Sequence, residues 1–219
     1  MSFNGYNLLA PYYQFLVKLV YGDLLFTAQT YYLKRLSSTD RHPKIILIIG
    51  GGTGQLLLFC LKKFPDARIC CVELSEGMVK ITKTKLNLND TARIDFYIED
   101  ILTWSSSIKF DFVLIPFVLD LLIEKDRKHL LKIASKNLSA SGKILVTDFR
   151  KGNGIFQSLL IGFMYWSFRI LNATQNNSLP EYEALFASTQ LSIEREKRFG
   201  KRLLNELVVS YELTPCNTK

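Results

Sequence analysis

The sequence is poor in the residues that build metal centres, disulfide scaffolds and membrane spans. Its 219 residues include four cysteines and two histidines. None of Cys60, Cys70, Cys71 and Cys216 falls in a C-x-x-C pair, and His42 and His129 lie far apart. A zinc site has little to build from, so no metal is expected. Cysteine usage of this kind suits a reduced, cytoplasmic protein whose thiols act as small hydrophobes. The N-terminal MSFNGYNLLAPYYQ has no basic segment ahead of an apolar core, which argues against a secretory signal. The longest apolar run of interest, Leu159 to Trp166, falls far short of the roughly 20 residues needed to cross a bilayer. Internal repeats and low-complexity linkers are absent as well.

What is present is a chain that can bury a core: 48% of it is hydrophobic and 22% charged. The formal net charge of +8 could draw anionic partners such as nucleotides, acidic substrates or a membrane surface. Its lysines are scattered over helices without interleaved aromatics, so no nucleic-acid partner is expected. The one basic cluster, Arg195, Lys197, Arg198, Lys201 and Arg202, reads as a solvated turn. If functional, it would suit peripheral contact with an anionic membrane. The oligomeric state is left open.

Residues Leu8 to Leu36 carry apolar and aromatic residues at helical spacing, interrupted at Gly22-Asp23. A strand–helix rhythm follows the polar stretch Ser37 to Pro43. KIILII (44–49) is a continuous apolar run, as expected of a parallel strand buried on both faces. Strands are predicted again at 67–73, 92–98, 110–115 and 143–149, with helices at 54–64, 76–88 and 125–138. The last third offers an aromatic helix at 155–171 and a short helix at 180–189. Strands at 191–199 and 202–213, joined at Gly200, close the chain as a hairpin. The pattern predicts a doubly wound α/β fold on a mainly parallel sheet. We read a single domain: a helical cap (1–43), a ligand-binding core (44–150), and covering helices with the closing hairpin (151–219).

The strongest local signal is the run Ile49-Gly50-Gly51-Gly52-Thr53-Gly54-Gln55, between a buried strand and a helix. Glycines there let the chain turn sharply and let a ligand lie against the peptide groups. A Walker loop is excluded, because no Gly-Lys-Ser/Thr follows. The dinucleotide fingerprint fails too, since its third glycine would fall on Gln55, and this disfavours a nicotinamide-dependent oxidoreductase. A G-x-G-x-G spacing at Gly50, Gly52 and Gly54 fits. Glu73 ends the next predicted strand about 20 residues on, where a carboxylate can accept both ribose hydroxyls of a nucleoside.

The segments IIGGGTGQ, CVELSEGMV, YIEDILTW, FDFVLIPFVLDLL and LSASGKILVTDF come in an order and at spacings that resemble class I S-adenosylmethionine-dependent methyltransferases over about Lys44 to Arg150. The resemblance implies a Rossmann-like, seven-stranded sheet with an antiparallel last strand, and S-adenosylmethionine as cofactor. It implies that Gly50, Gly52 and Gly54 approach the methionine part of the cofactor. Glu73 would hold the ribose and Met78 would pack on the adenine. Asp100 would accept from the adenine amino group beside Ile101, and Pro116 and Phe117 would line the methyl-transfer pocket. The stretch LLAPYY (8–13) resembles the small-molecule branch that includes quinone C-methyltransferases, which implies a cofactor contact for Tyr13. Two positions depart from the family: Ile48 stands where an acidic residue is usual, and Pro116 where a polar one is frequent. They motivate the alternative of a non-catalytic binding protein with the same fold.

Methyl transfer chiefly needs alignment and exclusion of water, and needs a base only if the acceptor must lose a proton. Asp120 is the candidate base, with a turn or helix-capping carboxylate as the alternative. Asp148 is a second, weaker candidate. Phe156, Phe163, Tyr165, Trp166 and Phe168 point to a small hydrophobic or aromatic acceptor.

Overall fold

A computed structural model describes residues 22–36, 42–150, 179–201 and 204–216. They form helix α1 (Leu24–Lys34), strand β1 (Ile45–Ile49), α2 (Gln55–Lys63), β2 (Arg68–Val72), α3 (Glu76–Lys83), α4 (Leu88–Thr91) and β3 (Ile94–Tyr97). Then come β4 (Phe110–Pro116), a 3-10 turn (Leu119–Leu121), α5 (Glu124–Lys136), β5 (Leu138–Phe149), α6 (Tyr182–Ser188), β6 (Leu191–Lys201) and β7 (Leu204–Pro215). The seven strands make one sheet in the order β3-β2-β1-β4-β5-β7-β6. Pairings from β3 through β5 are parallel, while β7 runs antiparallel to both β5 and β6. The expected antiparallel last strand is therefore β7, slotted between β5 and β6.

Alternation along each strand divides the core between the two faces of the sheet. Leu47, Ile49, Cys70, Val72, Val113 and Ile115 face Leu130, Leu131 and Ala134 of α5 and Leu185 and Phe186 of α6. Ile46, Ile48, Ile69, Cys71 and Leu114 face the other way, onto Leu56, Leu57, Cys60 and Leu61 of α2. The adjacent Cys70 and Cys71 point to opposite faces, as the strand reading requires. Burial pushes the Cys60 thiol far above its ordinary range, which suits a packing role.

Helix α1 buries Leu24, Leu25 and Ala28 against Phe149, Phe199, Leu207 and Val208. Ser210 Oγ of β7 donates to the Ala28 carbonyl at 2.9 Å, tying helix to sheet. This places α1 over the carboxyl ends of the strands.

Several boundaries differ from the sequence reading. Strand β5 starts at Leu138, five residues early, because Leu138 pairs with Phe110 ahead of an irregularity at Phe110/Phe112. The helix read over 76–88 stops at Lys83; Asn87 then accepts the Asp90 amide through its side chain and starts the separate α4. Strand β6 continues through Gly200 to Lys201. Near the hairpin, Arg198 contacts Glu196 and Glu206, Arg150 contacts Glu206, and Arg195 lies 3.7 Å from Glu212. These arginines are matched by acids and do not form a bare basic patch. No helix among the described residues is long and apolar enough to cross a membrane.

Candidate functional site

Strand order reverses between β1 and β4, and such switch points leave a crevice at the carboxyl ends of the strands. A cavity of about 250 Å³ lies there. The glycine loop, the ends of β2, β3, β4 and β5, and α1 contribute to its walls.

The glycines do three different things. Gly50 donates its N–H to the Val72 carbonyl at 2.9 Å and leaves no room for a side chain, since a Cβ would come 2.5 Å from Val118 Cγ2. Gly52 has φ 53°, in the left-handed region, and a Cβ there would meet nothing within 4 Å. Its open face belongs to the cavity. Gly54, the N-cap of α2, has φ 83°, and a Cβ would press on Thr82 of α3 at 2.5 Å. Gly54 is not among the lining residues, so its glycine is explained by helix packing and not by a ligand approach. Thr82 and Lys85, which the sequence reading passed over, fix the loop from behind. Thr82 Oγ1 donates to the Gly52 carbonyl at 3.1 Å, and Lys85 Nζ donates to the Thr53 carbonyl at 2.8 Å.

Glu73 lies at the end of β2 and is buried. Its Oε2 accepts the Gly52 amide at 2.8 Å and its Oε1 accepts the Ser75 amide at 2.9 Å. The carboxylate is therefore built into the loop, with a lone pair left on each oxygen for a further donor. Burial pushes its pKa up, partly opposed by those backbone hydrogen bonds. Met78 and Ile101 are buried and line the cavity beside Glu73. Asp100 also lines it, and its Oδ1 accepts the Leu102 amide at 2.9 Å. Leu25 and Gln29 of α1, Glu99 and Gln55 also line the cavity; Gln29 was not legible in advance, since a lone polar residue on a helix carries no motif. Tyr13 and the aromatic helix expected at 155–171 fall outside the described residues.

The opposite wall comes from the ends of β4 and β5. Pro116 and Phe117 line the cavity, and Phe117 has φ 54°, a strained conformation for a bulky residue. Its ring packs on Phe149 with centroids 5.0 Å apart. Asp120 sits inside the 3-10 turn after β4, lines the cavity and is only 1% exposed. The alternative of an exposed turn carboxylate is thereby removed. Asp148, fully buried, accepts the Asp120 amide through Oδ2 at 3.1 Å and the Phe149 amide through Oδ1 at 2.8 Å. Burial pushes the Asp120 carboxyl up to about 6. Burial, then repulsion from Asp120, pushes that of Asp148 well above the usual carboxylate range. Their side chains are hydrogen-bonded to each other.

The cavity's electrostatics oppose those of the chain as a whole. Glu73, Glu99, Asp100 and Asp120 line it, and no Lys, Arg or His does so among the described residues. An anionic phosphate ligand is disfavoured there and a cationic ligand favoured. Ile48 is fully buried under α2 on the far face of β1, so its missing acid takes nothing from the lining. A backbone cradle at Gly52, an apolar slot at Met78 and Ile101, and carboxylates at Glu73 and Asp100 together fit a cationic nucleoside.

Comparison with known proteins gives the same direction. A family model described as a methyltransferase domain matches residues 47–144. A malonyl-[acyl-carrier protein] O-methyltransferase of Priestia megaterium is 31% identical over 140 residues, covering 64% of this chain and 48% of its own. The chain thus spans about half the length of that curated relative. A mitomycin 7-O-methyltransferase structure aligns with TM-score 0.70 at 19% identity, over 96% of this chain and 60% of the other. A methyltransferase from Clostridium acetobutylicum aligns with TM-score 0.69 at 13% identity, over 94% of this chain and 98% of its own. Residues 47–144 thus resemble a methyltransferase domain, and the seven-stranded sheet with its single reversed strand has the Rossmann-like fold of those methyltransferase structures.

Proposed function

We propose that the chain binds S-adenosylmethionine in this cavity and methylates an oxygen of a small acceptor. The observation that carries the reading is the cavity itself, walled by the glycine loop and lined by acidic residues with no basic one among the described residues. Glu73 would accept from the ribose hydroxyls, Met78 and Ile101 would hold the adenine, and Asp100 would accept from its amino group. Gly50 and Gly52 would let the methionine part lie on the backbone. When bound, the sulfonium supplies an electrophilic methyl group on a good leaving group. The protein's part is to orient the acceptor and exclude water, which the apolar residues Leu25, Ile49, Phe117, Val118 and Phe149 suit.

The named relative acts on malonyl groups on a carrier protein, so a malonyl thioester is one acceptor to assay. The apolar lining supports a second, a hydrophobic small molecule presenting a hydroxyl. A purely non-catalytic role is less well supported, because an acid pair beside the cavity has no use in cofactor binding alone. Isothermal titration with S-adenosylmethionine and S-adenosylhomocysteine tests the reading. Micromolar affinity for both is the expected result. Stabilisation by NAD(P) and not by either sulfur nucleoside overturns it.

A further inference from the structure

The acid pair separates the two acceptor classes. Asp120 and Asp148 come from the ends of β4 and β5, residues 28 apart in sequence, and the backbone amide of one is bonded to the carboxylate of the other. Both carboxyl groups are buried, Asp120 at 1% exposure and Asp148 at 0%. Of the pair, Asp120 lines the cavity wall that also holds Pro116 and the strained Phe117. Arg127 of α5 attracts the Asp120 carboxylate electrostatically, and its Nε donates to the Leu119 carbonyl at 2.8 Å, holding the 3-10 turn in place. Glu73, Glu99 and Asp100 face the pair across the cavity; α1 contributes only uncharged residues there. From α6, Tyr182 donates its hydroxyl to the Phe149 carbonyl at 2.8 Å.

We infer that Asp120 and Asp148 act as a proton-sharing dyad that selects an acceptor hydroxyl and takes its proton during methyl transfer. The inference rests on the proposed S-adenosylmethionine-dependent reaction. In the step, the hydroxyl oxygen forms the bond to the methyl carbon and the sulfur–carbon bond breaks. Its electron pair stays on sulfur, giving the neutral thioether, and the hydroxyl proton passes to Asp120. The second proton then leaves to solvent when the methylated product departs. Asp120 is the catalytic residue. Asp148 is a positioning residue: its hydrogen bond holds Asp120 in the turn and keeps it ionised at neutral pH. A carboxylate acceptor brings no proton and meets the Asp120 carboxylate, so this wall disfavours it.

The test compares 2-naphthol with 2-naphthoic acid, which share a ring system and differ in whether the acceptor oxygen carries a proton at neutral pH. With the full chain and S-adenosylmethionine, transfer to naphthol exceeds transfer to naphthoate by at least about 10-fold. Its rate rises with pH through about 6, where Asp120 gives up its proton. Asp120→Asn lowers that rate by about 100-fold or more, within the usual contribution of a general base, while S-adenosylhomocysteine still binds. Asp148→Ala removes the hydrogen bond that lowers the Asp120 pKa, so the midpoint of the profile moves to higher pH; a purely structural role would leave it in place. Should either variant fail to fold, the naphthol-to-naphthoate ratio and the pH profile of the parent still decide. Equal or greater transfer to naphthoate, or no transfer to naphthol by a protein that binds S-adenosylmethionine, overturns the inference. Failure of the parent to bind S-adenosylhomocysteine overturns the underlying reading instead.

Discussion

Glu73 shows how much one side chain is asked to do. It receives two backbone amides, at 2.8 and 2.9 Å, that would otherwise be buried without partners. Replacement by glutamine keeps one acceptor oxygen but turns an NH₂ donor against an N–H donor of Gly52 or Ser75. Glu73→Gln is therefore expected to weaken S-adenosylmethionine binding by about 1–3 kcal/mol, roughly 5- to 150-fold, by calorimetry. Unchanged affinity would remove Glu73 from the ribose site. The place of this carboxylate was legible in the sequence, since it ends the strand after the glycine loop. Its two internal bonds were not, because they depend on how the Gly52 and Ser75 turns aim their amides. Asp148 was read only weakly for a related reason. What matters is its partner, and the Asp120 turn meets the end of β5 only once β4 and β5 pair.

At the scale of elements, the glycine loop separates two kinds of glycine that look alike in sequence. Gly52 opens onto the cavity, so Gly52→Ala puts strain at a left-handed φ and a methyl group towards the ligand. It is expected to lower affinity with a loss of stability near 1–2 kcal/mol. Gly54 faces Thr82 of α3, so Gly54→Ala drives α2 and α3 apart. Denaturant titration is expected to show the larger loss for Gly54→Ala, about 2–4 kcal/mol from strain plus overpacking. If Gly54→Ala is as stable as the parent, the helix-packing account of this glycine fails. The strands themselves were easy to read, because runs such as IILII and FDFVLI can hardly be anything but buried parallel strands. Boundaries set by long-range pairing were harder. The early start of β5 depends on Phe110, and the break after α3 on a single capping side chain, Asn87.

For the whole molecule, charge is the property the sequence conveyed least well. The net charge of +8 suggested anionic partners. Among the described residues, the cavity collects its acids from the ends of separate strands and takes no lysine or arginine, a distribution no count of residues reveals. Burial there raises the carboxyl groups of Glu73, Asp120 and Asp148. A carboxyl with a raised pKa in the folded state binds its proton more tightly there than in the unfolded chain. Its contribution to stability is full below the unfolded value near 4 and is lost as pH rises through the folded value. Stability of the free protein is thus expected to fall as pH rises from about 4 through about 6, the Asp120 window, with the raised Glu73 and Asp148 carboxyls acting in the same direction. A bound cation favours the ionised forms and offsets part of that loss. S-adenosylmethionine carries a positive sulfur and S-adenosylhomocysteine does not. The melting-temperature increase given by the sulfonium, relative to the thioether, is therefore expected to grow between pH 5 and pH 8. A difference that is flat or shrinks over this range would mean that the buried acids are not felt by the ligand. The cavity's charge would then be a consequence of packing with no part in recognition.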